Sequence, residues 1–203
     1  MEHFVVTIAR QYGSGGRQLG EMLAKRHGIP YYDRNIIQMA SDDSGINSEL
    51  FGRVDEYTSA KPPIFGRTGV YTGDLIPPQD RDFLSDENLF NYQAKVIREL
   101  AERGSCVIIG RCANYILKDY DYVLRVFIHA GWDYRMKRAS EKLSMSEHEL
   151  EKFLKKDDKR KMDYCLRFTG KEWFDATQYD LCLDSSKFEL ERCVEEIESH
   201  LHL

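Results

Sequence analysis

An α/β fold built on a parallel sheet is what this sequence predicts, and three observations carry it. Phe4-Val-Val-Thr-Ile-Ala9 is an apolar, β-branched run of the kind that forms a strand buried on both faces. The glycine cluster Gly13-Ser14-Gly15-Gly16 follows at once, and behind it Leu19, Met22, Leu23 and Arg26 recur at helical spacing. Strand-like and helix-like segments then alternate to the end of the chain, which implies parallel strands joined by right-handed crossovers.

Taken in order, Gly28 and Pro30 close the first helix, Tyr31-Tyr32 predicts a short second strand before Asp33, and Ile36, Ile37 and Ala40 open another helix. Composition then shifts. Residues 45–86 hold four of the five prolines (Pro62, Pro63, Pro77, Pro78) and five of the fourteen glycines, so an irregular insertion is expected there. Leu89, Phe90, Gln93, Ala94, Val96, Ile97, Leu100 and Ala101 predict a strong helix, and Cys106-Val-Ile-Ile109 a buried strand ending in Gly110-Arg111. Residues 123–128 form the next strand and 132–143 the next helix; Ser146 and Glu149 make a capping box that opens a long charged helix. Residues 179–183 give the last strand. Ser186 and Glu189 have the same spacing before a final helix whose Leu190, Cys193, Val194, Ile197 and Leu201 make one stripe.

The chain has 203 residues, 42% of them hydrophobic and 31% charged, a balance suited to a single domain over 1–203. Its net charge of −5 argues against a coat for nucleic acid. The apolar run at 4–9 ends at Arg10, too short for a signal segment or a membrane span, so neither nucleic acid nor membrane is expected as a partner and the cytoplasm is the expected compartment. Five cysteines (Cys106, Cys112, Cys165, Cys182, Cys193) form an odd set without a C-x-x-C pair, which suits small core residues in a reducing environment. No H-E-x-x-H occurs, and no structural metal site is expected.

Chemistry concentrates in the first loop. Glycines between a buried strand and a helix start let backbone N–H groups converge on phosphate oxygens, where the helix N-terminus adds partial positive charge. The same glycines would also serve a tight strand-to-helix turn. Set against G-x-x-x-x-G-K-[ST], only Gly15 matches: Arg10 stands for the first Gly, Gly16 for the Lys and Arg17 for the Ser or Thr. A dinucleotide-binding alternative follows from Gly13-x-Gly15 with Asp33 twenty residues beyond Gly13, although Gln18 replaces the third glycine.

As a whole the chain resembles the P-loop nucleoside monophosphate kinases, and most closely the cytidylate kinase-like family. The resemblance is carried by Ile8-Ala-Arg10-Gln-Tyr-Gly-Ser-Gly-Gly-Arg17, Tyr31-Tyr-Asp33-Arg34, Val107-Ile-Ile-Gly110-Arg111, Leu124-Arg-Val-Phe-Ile-His-Ala130 with Arg135 and Arg138 after it, and Tyr179-Asp-Leu-Cys-Leu-Asp184-Ser-Ser-Lys-Phe188. It spans 1–45 and 88–200. It implies a three-layer P-loop NTPase fold, a five-stranded parallel sheet with helices on both faces, an acceptor-binding insertion at 45–86 and a basic lid at 146–175. The implied reaction moves the γ-phosphoryl of ATP, with Mg²⁺ bound mainly through the nucleotide phosphates, to a nucleoside monophosphate or similar small phosphorylated acceptor. Two positions depart from the pattern: Gly16 stands where the loop Lys would be, and Cys112 where an Asp would follow Gly-Arg.

On that reading Ser14 and the N–H groups of Gly13, Gly15 and Gly16 cradle phosphates. Arg17 is the nearest cation to the missing Lys, or else a solvated first-turn arginine. Arg111 matches the family's acceptor-phosphate arginine. Asp33 orients the acceptor or a metal-bound water, or caps a turn. Lys156, Lys159 and Arg160 are candidates for transition-state contacts from the lid, against the alternative of a solvated charged face. Arg135 and Arg138 are phosphate ligands or structural pairs, and the aromatics Tyr164, Phe168, Trp173 and Phe174 are expected to pack rather than stack on a base. A second functional class, a nucleotide-binding regulatory module that keeps the cradle but not catalysis, follows from the absent Lys.

Overall fold

The computed structural model describes residues 3–56 and 71–201. Residues 57–70, with Pro62 and Pro63 of the expected insertion, lie outside the described residues. The first strand, β1 (Val5–Arg10), sits at the centre of a five-stranded sheet and is buried along its whole length. It pairs in parallel with β3 (Cys106–Ile109) on one side and β4 (Val123–His129) on the other, with Val5 opposite Cys106 and Val123. β2 (Tyr31–Tyr32) joins β3 and β5 (Leu181–Asp184) joins β4, also in parallel, so the order is β2-β3-β1-β4-β5. Dinucleotide-binding sheets seat the second strand directly beside the first. Here β3 intervenes, and the dinucleotide alternative falls away.

Two apolar layers cover the sheet because its side chains alternate. Val6, Ile8, Val107, Ile109, Val126 and Ile128 point to one face, where α1 (Gly16–His27) and α8 (Leu190–Ser199) bring Leu19, Leu23, Val194 and Ile197. Val5, Ala9, Ile108 and Phe127 point to the other, where α4 (Asp86–Arg103) brings Phe90, Ile97 and Leu100. Each such side chain contributes about 1.5–3 kcal/mol on burial. α1 lies close on the sheet: a Cβ at Gly20 would stand 2.8 Å from Cδ1 of Ile109.

The remaining helices are α2 (Asn35–Ser44), α3 (Ser48–Val54), the single turn α5 (Ala113–Ile116), α6 (Trp132–Ser140) and α7 (Glu147–Thr169). α7 opens with both halves of the Ser146–Glu149 capping box and ends at Gly170 with φ 67°. Its Phe168 stacks on Phe90, ring centroids 4.5 Å apart, so the expected aromatic packing joins α7 to α4. Trp173 is buried against Phe127, while Phe174 stays half exposed.

Two local expectations change. Within the insertion, 48–54 is helical, because Asn47 caps the turn by accepting the N–H of Glu49 and Phe51 and Val54 bury one face. Ser186 does not cap the final helix: its Oγ donates to Asp184 and accepts the N–H of Gly131 at 3.1 Å, and α8 starts after Glu189 with no side-chain cap. Proximity of the β4 and β5 ends wins over sequence spacing. Among the described residues no helix is long and apolar enough to cross a membrane.

Candidate functional site

Where β1 and β4 end, the chain folds into a cleft of about 320 Å³ over the glycine loop. The loop is held from within and from both sides. Gln11 donates its N–H to the Ile128 carbonyl and accepts both the N–H and the Oγ of Ser14 on its own carbonyl. Ser14 Oγ accepts the N–H of Gly16 at 3.4 Å, and the Ser14 carbonyl accepts Ser185 Oγ from the end of β5 at 2.5 Å. Ser14 is therefore fully buried and braces the loop, while Gly13, Gly15 and Gly16 line the cleft. Gly13 and Gly15 take φ of 80° and 83°, a region that disfavours side chains, and a Cβ on Gly13 would stand 2.7 Å from the Arg135 carbonyl oxygen.

Arg135 and Arg138 divide the two roles expected of them. Arg135 is buried, donates from Nε to the Tyr12 carbonyl at 2.7 Å and grips Asp158 with both terminal nitrogens at 2.8 Å, so it ties the loop to α7. Arg138 lines the cleft and donates to Gln18 Oε1 at 2.8 Å. Arg17 lines it too, its side chain 41% exposed and 2.7 Å from Asp33.

Arg111, expected to be the acceptor-phosphate arginine, does not line the cleft. Its side chain is fully buried, with Asp33 at 3.2 Å and Asp55 at 3.1 Å, and its N–H donates to Glu56 Oε2 at 2.8 Å. Glu56 also pairs with Arg10 at 2.8 Å. The reason is the turn after β3: Gly110, Arg111 and Cys112 have successive φ of 70°, 52° and 55°, costly for the two non-glycine residues. The carboxylates of Asp55 and Glu56, just past α3, stabilise that turn. Asp33 links the network to the cleft by bridging Arg111 and Arg17. Burial pushes the Asp55 carboxyl up to about 6 against the pull of Arg111. Burial pushes Glu56 up as well, but Arg10, Arg111 and Lys161 outweigh it and hold that carboxyl at about 2.

On α7 the basic run resolves by helical phase. Phe153, Asp157, Arg160 and Lys161 line the cleft, while Lys156 and Lys159 are exposed away from it, Lys159 pairing with Asp163 at 2.8 Å. Positions i, i+3 and i+4 share a helix face and i+2 does not, so Asp157 meets Arg160 and Lys161 but not Lys159. Lys159 thus falls off the cleft face, and Lys156, although three positions from Phe153, is exposed outside the lining, so neither of these two expected lid contacts lines the cleft. Sequence reading passed over Lys161, Arg10, Arg34 and Lys142 as cleft residues; the 153-157-160-161 periodicity was a signal for Lys161, whereas nothing local marked Arg10. Among the described residues, seven cations (Arg10, Arg17, Arg34, Arg138, Lys142, Arg160, Lys161) and one carboxylate, Asp157, line the cleft. In a chain of net charge −5 this gives the cleft a predominantly basic lining, in which Arg10, Arg17, Arg160 and Lys161 pair with Glu56, Asp33 and Asp157.

Comparison with known proteins identifies the family and the fold. The cytidylate kinase-like family matches residues 5–187. A cytidylate kinase of Methanopyrus kandleri is 22% identical over 193 residues, 91% of this chain and 86% of that protein. Among solved structures, an uncharacterized protein from Eubacterium ventriosum superposes with a TM-score of 0.71 at 23% identity, covering 98% of each chain. A shikimate kinase from Bacteroides thetaiotaomicron gives 0.55 at 14% identity, with all of both chains covered. The sheet order and these neighbours establish a P-loop NTPase fold. The chain belongs to the cytidylate kinase-like family, and with it to the nucleotide-kinase type of phosphotransferase.

Proposed function

We propose that this protein moves the γ-phosphoryl group of ATP to the phosphate of a small phosphorylated acceptor, a nucleoside monophosphate of the cytidylate kind. The observation that carries the reading is the cationic cleft on the glycine loop, seven basic side chains around three glycines. The loop's N–H groups and the start of α1 would hold the donor phosphates. An anionic oxygen of the acceptor phosphate attacks the γ-phosphorus, the bond to the β–γ bridging oxygen breaks, and the nucleoside diphosphate departs with that electron pair. The attacking oxygen carries no proton at neutral pH, so the chain need supply no base. Its task is alignment and neutralisation of charge.

Arg17, Arg138 and Arg160 line the cleft and would share that charge, while residues 45–86 and 146–175 would serve as acceptor-binding insertion and lid. Mg²⁺ would supply Lewis acidity to the phosphates it rides on. The donor set suits that mode of entry, because Asp157, the acid in the cleft lining, is already held by Arg160 and Lys161. With Arg111 committed to Asp33 and Asp55, acceptor contacts fall to cleft arginines such as Arg34.

A screen of nucleoside monophosphates with MgATP, run beside a nucleotide-binding titration, tests the reading. ADP formation dependent on one acceptor class is expected, and Arg17→Ala should lower its rate on the order of 100-fold, the worth of about 3 kcal/mol at a developing charge. MgATP binding with no turnover on any acceptor would replace this reading by the regulatory module, to which the glycine at position 16 also points.

A further inference from the structure

The loop has no room for the lysine that its pattern lacks. A Cβ at Gly16 would stand 2.6 Å from Cβ of Arg10 and 3.3 Å from Cβ of Ile128, so the start of α1 fits against β1 and β4 only without a side chain there. A buried ammonium beside the loop must therefore arrive from another element. Of the two lysines lining the cleft, Lys142 is exposed and Lys161 is 4% exposed. Lys161 reaches from α7 to the last residue of β1, donating from Nζ to the Arg10 carbonyl at 3.2 Å and to Asp157 Oδ2 at 2.6 Å. Those bonds use two of its three donors.

We propose that Lys161 is the phosphate-binding ammonium of this cleft, delivered from α7 in place of a loop lysine and directed at the β- and γ-phosphates of a nucleoside triphosphate. This rests on the phosphoryl-transfer reading and adds to it a residue that no loop motif contains. Burying an ammonium is costly unless its charge is answered. Here Asp157 answers both Arg160 and Lys161, leaving one positive charge in excess beside the loop, which a phosphate would neutralise. Burial, and after it the nearby Arg10, push Lys161 below its ordinary pKa despite Asp157 and Glu56, a push that an anionic ligand would oppose. The bond to the Arg10 carbonyl also fixes α7 to the residue from which the loop departs, so the ammonium holds its place before a ligand arrives.

MgATP and AMP are titrated into the full-length wild type and into Lys161→Met, Lys161→Gln and Lys161→Arg. Loss of MgATP affinity on the order of 100-fold is expected for the Met and Gln variants, with AMP affected little and the Arg variant keeping most of the affinity. Lys161→Gln removes the charge but keeps a polar amide at the buried position, so it decides the matter if Lys161→Met fails to fold. A wild type that binds MgATP while Lys161→Gln binds it equally, with the same preference over AMP, overturns the inference and leaves the phosphoryl-transfer reading standing. A wild type that binds no MgATP overturns both.

Discussion

Gly16 and Arg111 are the positions where a single residue decides most. Restoring the loop lysine as Gly16→Lys should fail as a repair: the new Cβ meets Arg10 at 2.6 Å, so denaturant unfolding should show a loss of about 1–3 kcal/mol, with no gain in MgATP affinity. Gly15→Val combines a left-handed φ of 83° with a contact of 2.9 Å to Leu190 Cδ2, and should abolish triphosphate binding. Unchanged affinity in that variant would sink the glycine loop as the phosphate site. Arg111→Met removes the buried cation that faces Asp33 and Asp55; the uncompensated carboxylates should lower stability by about 3–5 kcal/mol. Arg111 followed a buried strand, and that much was legible. Its commitment to Asp55 was not, because the partners lie 56 positions apart and meet only through the turn after β3.

At the scale of elements, the segment just past α3 docks on the turn after β3 through two carboxylates whose pKa values are shifted in opposite directions. Asp55 is raised in the folded protein to about 6, so its charge opposes folding at neutral pH, and that cost is relieved as pH falls through about 6. Glu56 is lowered to about 2; its contribution is present above the ordinary glutamate range and is lost as pH falls from about 4.5 towards 2. Asp55→Asn removes one partner of the buried Arg111 and should lower the Tm, with a smaller deficit at pH 7.5, where the wild-type carboxylate is charged at a cost, than at pH 4.5, while the acid-side fall persists. An unchanged difference across that range would mean that Asp55 is not buried as described. For α7, loss of the cap in Ser146→Ala should cost about 1 kcal/mol, read by denaturant unfolding.

For the whole molecule, the relevant contrast is a net charge of −5 with seven cations gathered at one cleft. On the proposed function this field would draw in a polyanion through charges that are partly solvent-exposed, so salt should screen it, the Debye length falling from about 8 Å at 0.15 M to about 3 Å at 1 M. MgATP affinity should drop several-fold over that range while adenosine binding barely moves. A salt-independent MgATP affinity would assign the binding to the nucleoside rather than to the phosphates.

The sequence by itself determined the architecture and singled out the glycine loop as the candidate site. β1, the glycine loop and α1 are contiguous, their apolar periodicities are local signals, and burial on two faces forces a parallel sheet with helices on either side. The capping box on α7 was equally local. Tertiary structure decided which basic residues face the loop. Lys161 reaches the Arg10 carbonyl across 151 positions, Glu56 reaches the N–H of Arg111 across 55, and Ser186 turns from α8 to the β5 end because Asp184 and Gly131 stand there. A contact between segments distant in sequence carries no periodicity of its own, and its partners are chosen by how strands and helices are laid side by side. Helical phase alone could have moved attention from Lys159 to Lys161, but only the docking of α7 against β1 makes that face the wall of the cleft.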